Sequence, residues 1–236
     1  MRPRLVLVPN LTELEWVIRP RLEAWADVAA YDAPGVGDEP PPEIFGTDAI
    51  VERGLAEVDR LGWDRYVVVG DEFSTLMAVR LAAAAPGAVA GLALGHACLE
   101  FSREGERPTI NESVMGAFEG LIALDYRTYV RHLTQLTQGA YDDEFADRYM
   151  QRVSQEVSLA YGSREEVPLE PLLRELDVPM LFAQHKGCLG WTDESWEDAV
   201  TAFPEATTVT TSEKPSVSPL FADALREFCR ELQPAS

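Results

Sequence analysis

The chain has 236 residues, a net charge of −20 and a pI near 4.4, with 46% hydrophobic and 25% charged residues. This length suits one substantial core with a small insertion, and the charge disfavours nucleic acid or an anionic membrane surface as a partner, because both are polyanions. Three cysteines, Cys98, Cys188 and Cys229, are odd in number and form no CxxC pair, which fits a reducing, cytoplasmic setting better than a disulfide framework.

Six short apolar runs punctuate the sequence: RLVLVP (4–9), DVAAYDAPG (27–35), RYVVVG (65–70), AVAGLALG (88–95), VPMLFAQ (178–184) and ATTVTTS (206–212). The first is too short for a signal peptide and ends at once in a proline. Continuous rather than alternating apolarity predicts strands covered on both faces. Between strands, Val51, Leu55, Val58 and Leu61 recur at helical spacing before Gly62. Residues 81–99 are uncharged over a bilayer-spanning length, but Pro86-Gly87 divides them into a helix end and a strand. From Phe101 to Arg174 only helical patterns occur, including Tyr126, Tyr129, Val130, Leu133 and Leu136 and a polar amphipathic run over 142–161. Ser218-Pro219 opens a last helix with Leu220, Ala224, Leu225 and Phe228 inward. Strands alternating with helices predict an α/β fold with a doubly wound, mostly parallel sheet of about six strands. Residues 1–100 and 175–236 form its core, and 101–174 an inserted helical cap.

Four segments carry a resemblance to the α/β-hydrolase superfamily: LVLVPNLTELEW, VAAYDAPGVGDEP, the strand-turn-helix RYVVVGDEFSTLMAVRLAAAAPG, and VPMLFAQHKGC. The resemblance implies a sheet that starts at the family's third strand and a nucleophile elbow at Gly70-Asp71-Glu72-Phe73-Ser74. It also implies positions for the triad, and each departs from the pattern. Glu72 stands at the nucleophile, Gly187 and Cys188 stand near the acid, and the loop 210–218 that should carry the histidine has none. Ser74 and Thr75 replace the two glycines after the nucleophile, and Pro9-Asn10 replaces the oxyanion-loop His-Gly. Serine hydrolysis needs an oxygen nucleophile with a positioned base, which these positions do not supply.

In the family's strand order, the strands ending at Asn10, Glu72, His96 and His185 are neighbours, and side chains at strand ends about 10 Å apart can converge on one small molecule. Glu72 is the candidate acid or base, with His96 or His185 as its partner. The field of the following helix favours its anion by about 0.3–1 kcal/mol, and in a dry pocket burial outweighs that and raises its pKa. Candidate substrate-binding residues are Asn10, whose backbone N–H is the stronger donor, Leu11, Phe73, Cys188 and, from the cap, His132. Tyr126, Tyr129 and Phe118 read as cap core, and Glu213 and Lys214 as solvated loop charges. The expected chemistry is proton transfer on a small, mainly apolar metabolite: isomerisation, elimination, cyclisation or lyase cleavage. A catalytically silent binder of a small molecule or a protein, and a carboxylate-nucleophile hydrolase of epoxide-hydrolase or dehalogenase type, stay open. No cofactor and no metal is expected, and a homodimer is compatible with the composition.

Overall fold

A computed structural model describes residues 2–97, 99, 112–138, 141–162, 168–186 and 192–232. Six strands, β1 (Arg4–Leu7), β2 (Asp27–Ala30), β3 (Tyr66–Asp71), β4 (Val89–Gly95), β5 (Met180–His185) and β6 (Thr207–Thr211), form one sheet in the order β2-β1-β3-β4-β5-β6. Every neighbouring pair is parallel. The order reverses between β1 and β3, so the C-terminal ends of these strands flank the switch point where open α/β sheets bind ligands.

The apolar runs are continuous because the central strands face helices on both sides. Val6, Val68, Leu92 and Phe182 point into one core, and Leu5, Val67, Ala93 and Leu181 into the other. The first is closed by α2 (Thr47–Leu61), α3 (Ser74–Ala84), α8 (Glu170–Glu175) and α9 (Asp193–Ala202), the second by α1 (Arg19–Glu23) and α10 (Pro219–Glu231). β6 departs from the expectation of double coverage. It is an edge strand whose Thr207, Thr208 and Thr210 are exposed, and its threonines satisfy β-propensity without adding apolar surface.

Local chemistry sets the helix ends. Gly62 adopts a left-handed φ of 64° and caps α2, and the Ser218 side chain accepts from the Phe221 N–H at the start of α10. Between β4 and β5 lie α4 (Glu112–Leu124), α5 (Tyr126–Gln138), α6 (Asp143–Arg152), α7 (Gln155–Ala160) and α8. The run 142–161 is two helices rather than one, each started by its own cap, Asp142 accepting from Phe145 N–H and Ser154 from Val157 N–H. Tyr126 stacks on Tyr129, which packs edge-on against Phe118, and the Tyr126 hydroxyl donates to the Val153 carbonyl. These aromatics hold the insert together. Among the described residues no helix is long and apolar enough to cross a membrane; residues 81–97 are the end of α3, a turn, β4 and the residues just after it.

Candidate functional site

The elbow is built by β3 running straight into α3. Gly70 lets them approach, since a Cβ there would sit 2.6 Å from the Ala78 Cβ and 2.8 Å from the Ser74 carbonyl oxygen. Ser74 then ties the turn, its hydroxyl accepting from the Asp71 N–H (2.7 Å) and donating to the Asp71 carbonyl (2.9 Å). Thr75 adds a hydroxyl bond to the Glu72 carbonyl at 2.6 Å. Ser74 and Thr75 are thus the residues that staple this turn. Glu72 takes a left-handed φ of 53°, a conformation that costs a residue with a Cβ on the order of 1–3 kcal/mol and recurs at functional sites.

Lys214 meets Glu72 there, its Nζ 2.8 Å from Oε2, with 3% of the lysine side chain and 20% of the glutamate side chain exposed. The solvated loop charge expected at 214 is therefore a buried partner of the elbow, whereas Glu213 is exposed as expected. The loop is clamped from two sides: the Ser216 N–H donates to Asp71 Oδ2 (2.9 Å), and the Ser216 carbonyl accepts from the Ile18 N–H (3.1 Å). Asp71 points away from the elbow's open side and fastens the loop that delivers Lys214. Gly95 makes room for it, since a Cβ at 95 would lie 2.3 Å from Asp71 Oδ1.

The ion pair reverses the protonation expected for Glu72. Burial pushes its pKa up and is the largest single effect, but Lys214, then His96 and His185, pull the other way, and the carboxyl ends below its ordinary value. Asp71 goes the other way, because burial raises it more than Lys214 lowers it. Lys214 is held well above its usual range: burial opposes the charge, and Glu72, Asp71 and Glu15 overcome it.

Both strand-end histidines stand beside this pair. His96 is buried, has a left-handed φ of 53°, and places Nε2 3.4 Å from the His185 carbonyl oxygen; the two imidazole centroids are 5.7 Å apart. Burial, then the neighbouring His96, lowers the pKa of His185 against the pull of Glu72 and Asp71, so it favours the neutral base at pH 7. Glu72, His96 and His185 are thus brought together. Other candidates are not. His132 bonds through Nδ1 to the hydroxyl of half-exposed Tyr141, 3.2 Å away on the insert. Leu11 is buried in the core and Phe73 packs against it. Cys188 and Gly187 lie outside the described residues.

Asn10 corrects another expectation. Its backbone N–H, the donor proposed for a substrate oxygen, is taken by Glu15 Oε2 at 2.9 Å. Glu15 ends a short 3₁₀ turn (Glu13–Glu15) that Thr12 caps, and Asp32 anchors that turn by accepting from the Thr12 hydroxyl and the Glu13 N–H. Asp32 also pairs with Arg152 at the end of α6, tying the insert to the strand ends. Glu15, Asn10, Asp71, Ser216 and Lys214 border a space too narrow to admit a water molecule. Among the described residues no group of three or more His, Cys, Asp or Glu side chains is arranged to hold a metal ion.

The pimeloyl-[acyl-carrier protein] methyl ester esterase of Neisseria meningitidis serogroup A is 26% identical over 179 residues, 70% of this chain and 54% of the esterase. The chain therefore spans about half the length of that relative. The esterase RhEst1 from Rhodococcus sp. ECU1013 superposes with a TM-score of 0.78 at 23% identity, over 98% of this chain and 92% of its own. A bromoperoxidase from Bacillus anthracis gives 0.75 at 15% identity, over 98% and 91%. No family model matches the chain. Together with the sheet order, these likenesses show the α/β-hydrolase fold.

Proposed function

We propose, from an α/β-hydrolase fold whose elbow carries an ionised glutamate, that the protein hydrolyses small, mainly apolar acyl esters or thioesters by direct attack of water. The observation that carries this reading is the asymmetry of the ion pair: Lys214 is sealed at 3% exposure while Glu72 keeps 20%. The accessible end of the pair is the carboxylate, already in the form that accepts a proton.

In this reading a water oxygen bonds to the acyl carbon as Glu72 takes its proton. The tetrahedral adduct then expels the alcohol or thiol, which recovers a proton from Glu72 or from the His96–His185 pair. General-base assistance of this kind contributes on the order of 10²–10⁴ in rate. Direct nucleophilic attack by Glu72 on an ester suits the site less well. The adduct would be a mixed-anhydride precursor, and it loses carboxylate more readily than alkoxide. The esterase relative and structural neighbour support hydrolysis over isomerisation, elimination, cyclisation or lyase cleavage. The dry packing beneath Lys214 favours the silent-binder alternative, so the experiment separates the two.

The test is hydrolysis of p-nitrophenyl esters and acyl thioesters of two to ten carbons by the wild type and Glu72→Gln, with one turnover run in H₂¹⁸O. The wild type turns over, Glu72→Gln falls at least about 100-fold with its circular dichroism unchanged, and label enters the product acid alone. No turnover across the panel, or full turnover in the variant, removes the hydrolytic role of Glu72. Label in Glu72 makes it the nucleophile.

A further inference from the structure

Glu15 is a second carboxylate in the site and has no part in the mechanism above. Only 5% of it is exposed, it accepts from the Asn10 N–H at 2.9 Å, and the hydroxyl of Tyr149, on α6 of the insert, lies 3.5 Å from its other oxygen. It borders the same water-free space as Lys214. Around that narrow space Asn10 Oδ1, Asp71 Oδ1 and Ser216 Oγ are buried, so its lining is polar. A carboxylate buried there is either neutralised or balanced by a nearby cation, and among the described residues lining that space Lys214 is the cation.

We propose that Glu15 is a positioning residue that holds the Lys214 ammonium jointly with Glu72, and that Tyr149 ties this grip to the seating of the insert. The catalytic meaning of the grip rests on the hydrolytic reading of Glu72; the grip itself does not. Glu72, Asp71 and Glu15 all act to keep Lys214 charged, and Lys214 in turn acts on His185.

The chain has two lysines, Lys186 and Lys214, so lysine labelled with ¹⁵N at the side-chain nitrogen gives two signals. Lys214 is assigned by its absence in Lys214→Met. In Glu15→Gln, which keeps an oxygen for the Asn10 N–H, and in Glu15→Met, which fills the volume, the Lys214 resonance should move at pH 7 relative to the wild type. The Lys186 signal stays as it was. Tyr149→Phe, which keeps the packed ring, should move the Lys214 resonance at fixed pH. A Lys214 signal unchanged in folded Glu15 variants overturns the shared grip, and one unchanged in Tyr149→Phe overturns the link to the insert. A shifted signal in a protein without hydrolysis supports the grip and removes only the catalytic reading.

Discussion

Replacing Lys214 with methionine tests the electrostatic centre of the site without changing its volume much. The Nζ sits 2.8 Å from Glu72 Oε2 at 3% exposure. At an effective dielectric near 20, two charges a few ångströms apart attract by about 4 kcal/mol, and removing one partner of a buried pair costs about 3–5 kcal/mol because the other charge is left behind. Water reaches the 20% of Glu72 that is exposed, so the lower end, about 3 kcal/mol at pH 7, is expected. With a urea m-value near 2–3 kcal/mol/M, the midpoint drops by about 1–1.5 M. The pH dependence is the sharper part. Without Lys214, burial dominates Glu72 and raises its pKa above the unfolded value. The native variant then binds the extra proton, and its stability deficit shrinks as the pH falls from 8 towards 5. Urea unfolding followed by circular dichroism at pH 8, 7, 6 and 5 reads both quantities. A deficit under 1 kcal/mol at pH 7, or one that does not change with pH, refutes the reasoning.

Because Glu72 is held below the ordinary glutamate range, kcat/KM should stay flat on the acid side to below pH 4.5. An acid limb near 6–7 in the pH–rate profile would move the base to a histidine. Gly95→Ala puts a Cβ 2.3 Å from Asp71 Oδ1 and 2.8 Å from Pro215 Cγ, and should cost about 1–3 kcal/mol or more. Thermal unfolding within 1 °C of the wild type would show that the Asp71–loop contact yields freely. Asp71 carries a pKa raised by burial, so its native carboxyl costs stability above its unfolded pKa, increasingly as the pH rises. Asp71→Asn, which can still accept from the Ser216 N–H, should equal or exceed the wild type in stability at pH 7 and converge with it near pH 4. Urea midpoints at the two pH values check this, and a variant clearly weaker at pH 7 contradicts it.

The fold was legible in the sequence because its signals are local and redundant. Apolar runs bounded by Gly and Pro gave all six strands, and Gly62 and Ser218-Pro219 marked helix ends where φ and cap bonds place them. β6 shows the limit: ATTVTTS has strand propensity, but whether its threonines are covered depends on its place at the sheet edge. That Glu72, His96 and His185 lie together was also legible, since each follows a strand whose neighbours the topology fixes. Lys214 was misread because burial of a loop charge is settled by tertiary contacts, here the Ser216 N–H on Asp71 and the Ser216 carbonyl under Ile18. Glu15 left no signal at all, being one acid among 40 acidic residues.

One compositional signal did point to Lys214. The chain carries 18 arginines and two lysines, so a lysine in the loop between β6 and α10 is an exception to its own usage. The seat explains the exception. A guanidinium is broad and planar and needs several acceptors in a fork, whereas an ammonium is compact and points three donors outward. The space beside Lys214 is narrow, and among the described residues the ammonium meets a single carboxylate oxygen there, Glu72 Oε2. The elbow and the loop between β6 and α10 therefore face each other in this protein as fixed opposite charges. In such a pair the lysine stays protonated, and the carboxylate, already ionised, is in the form that takes a proton from water. The pair holds a carboxylate charged at the turn between β3 and α3, on a residue with a left-handed φ of 53°.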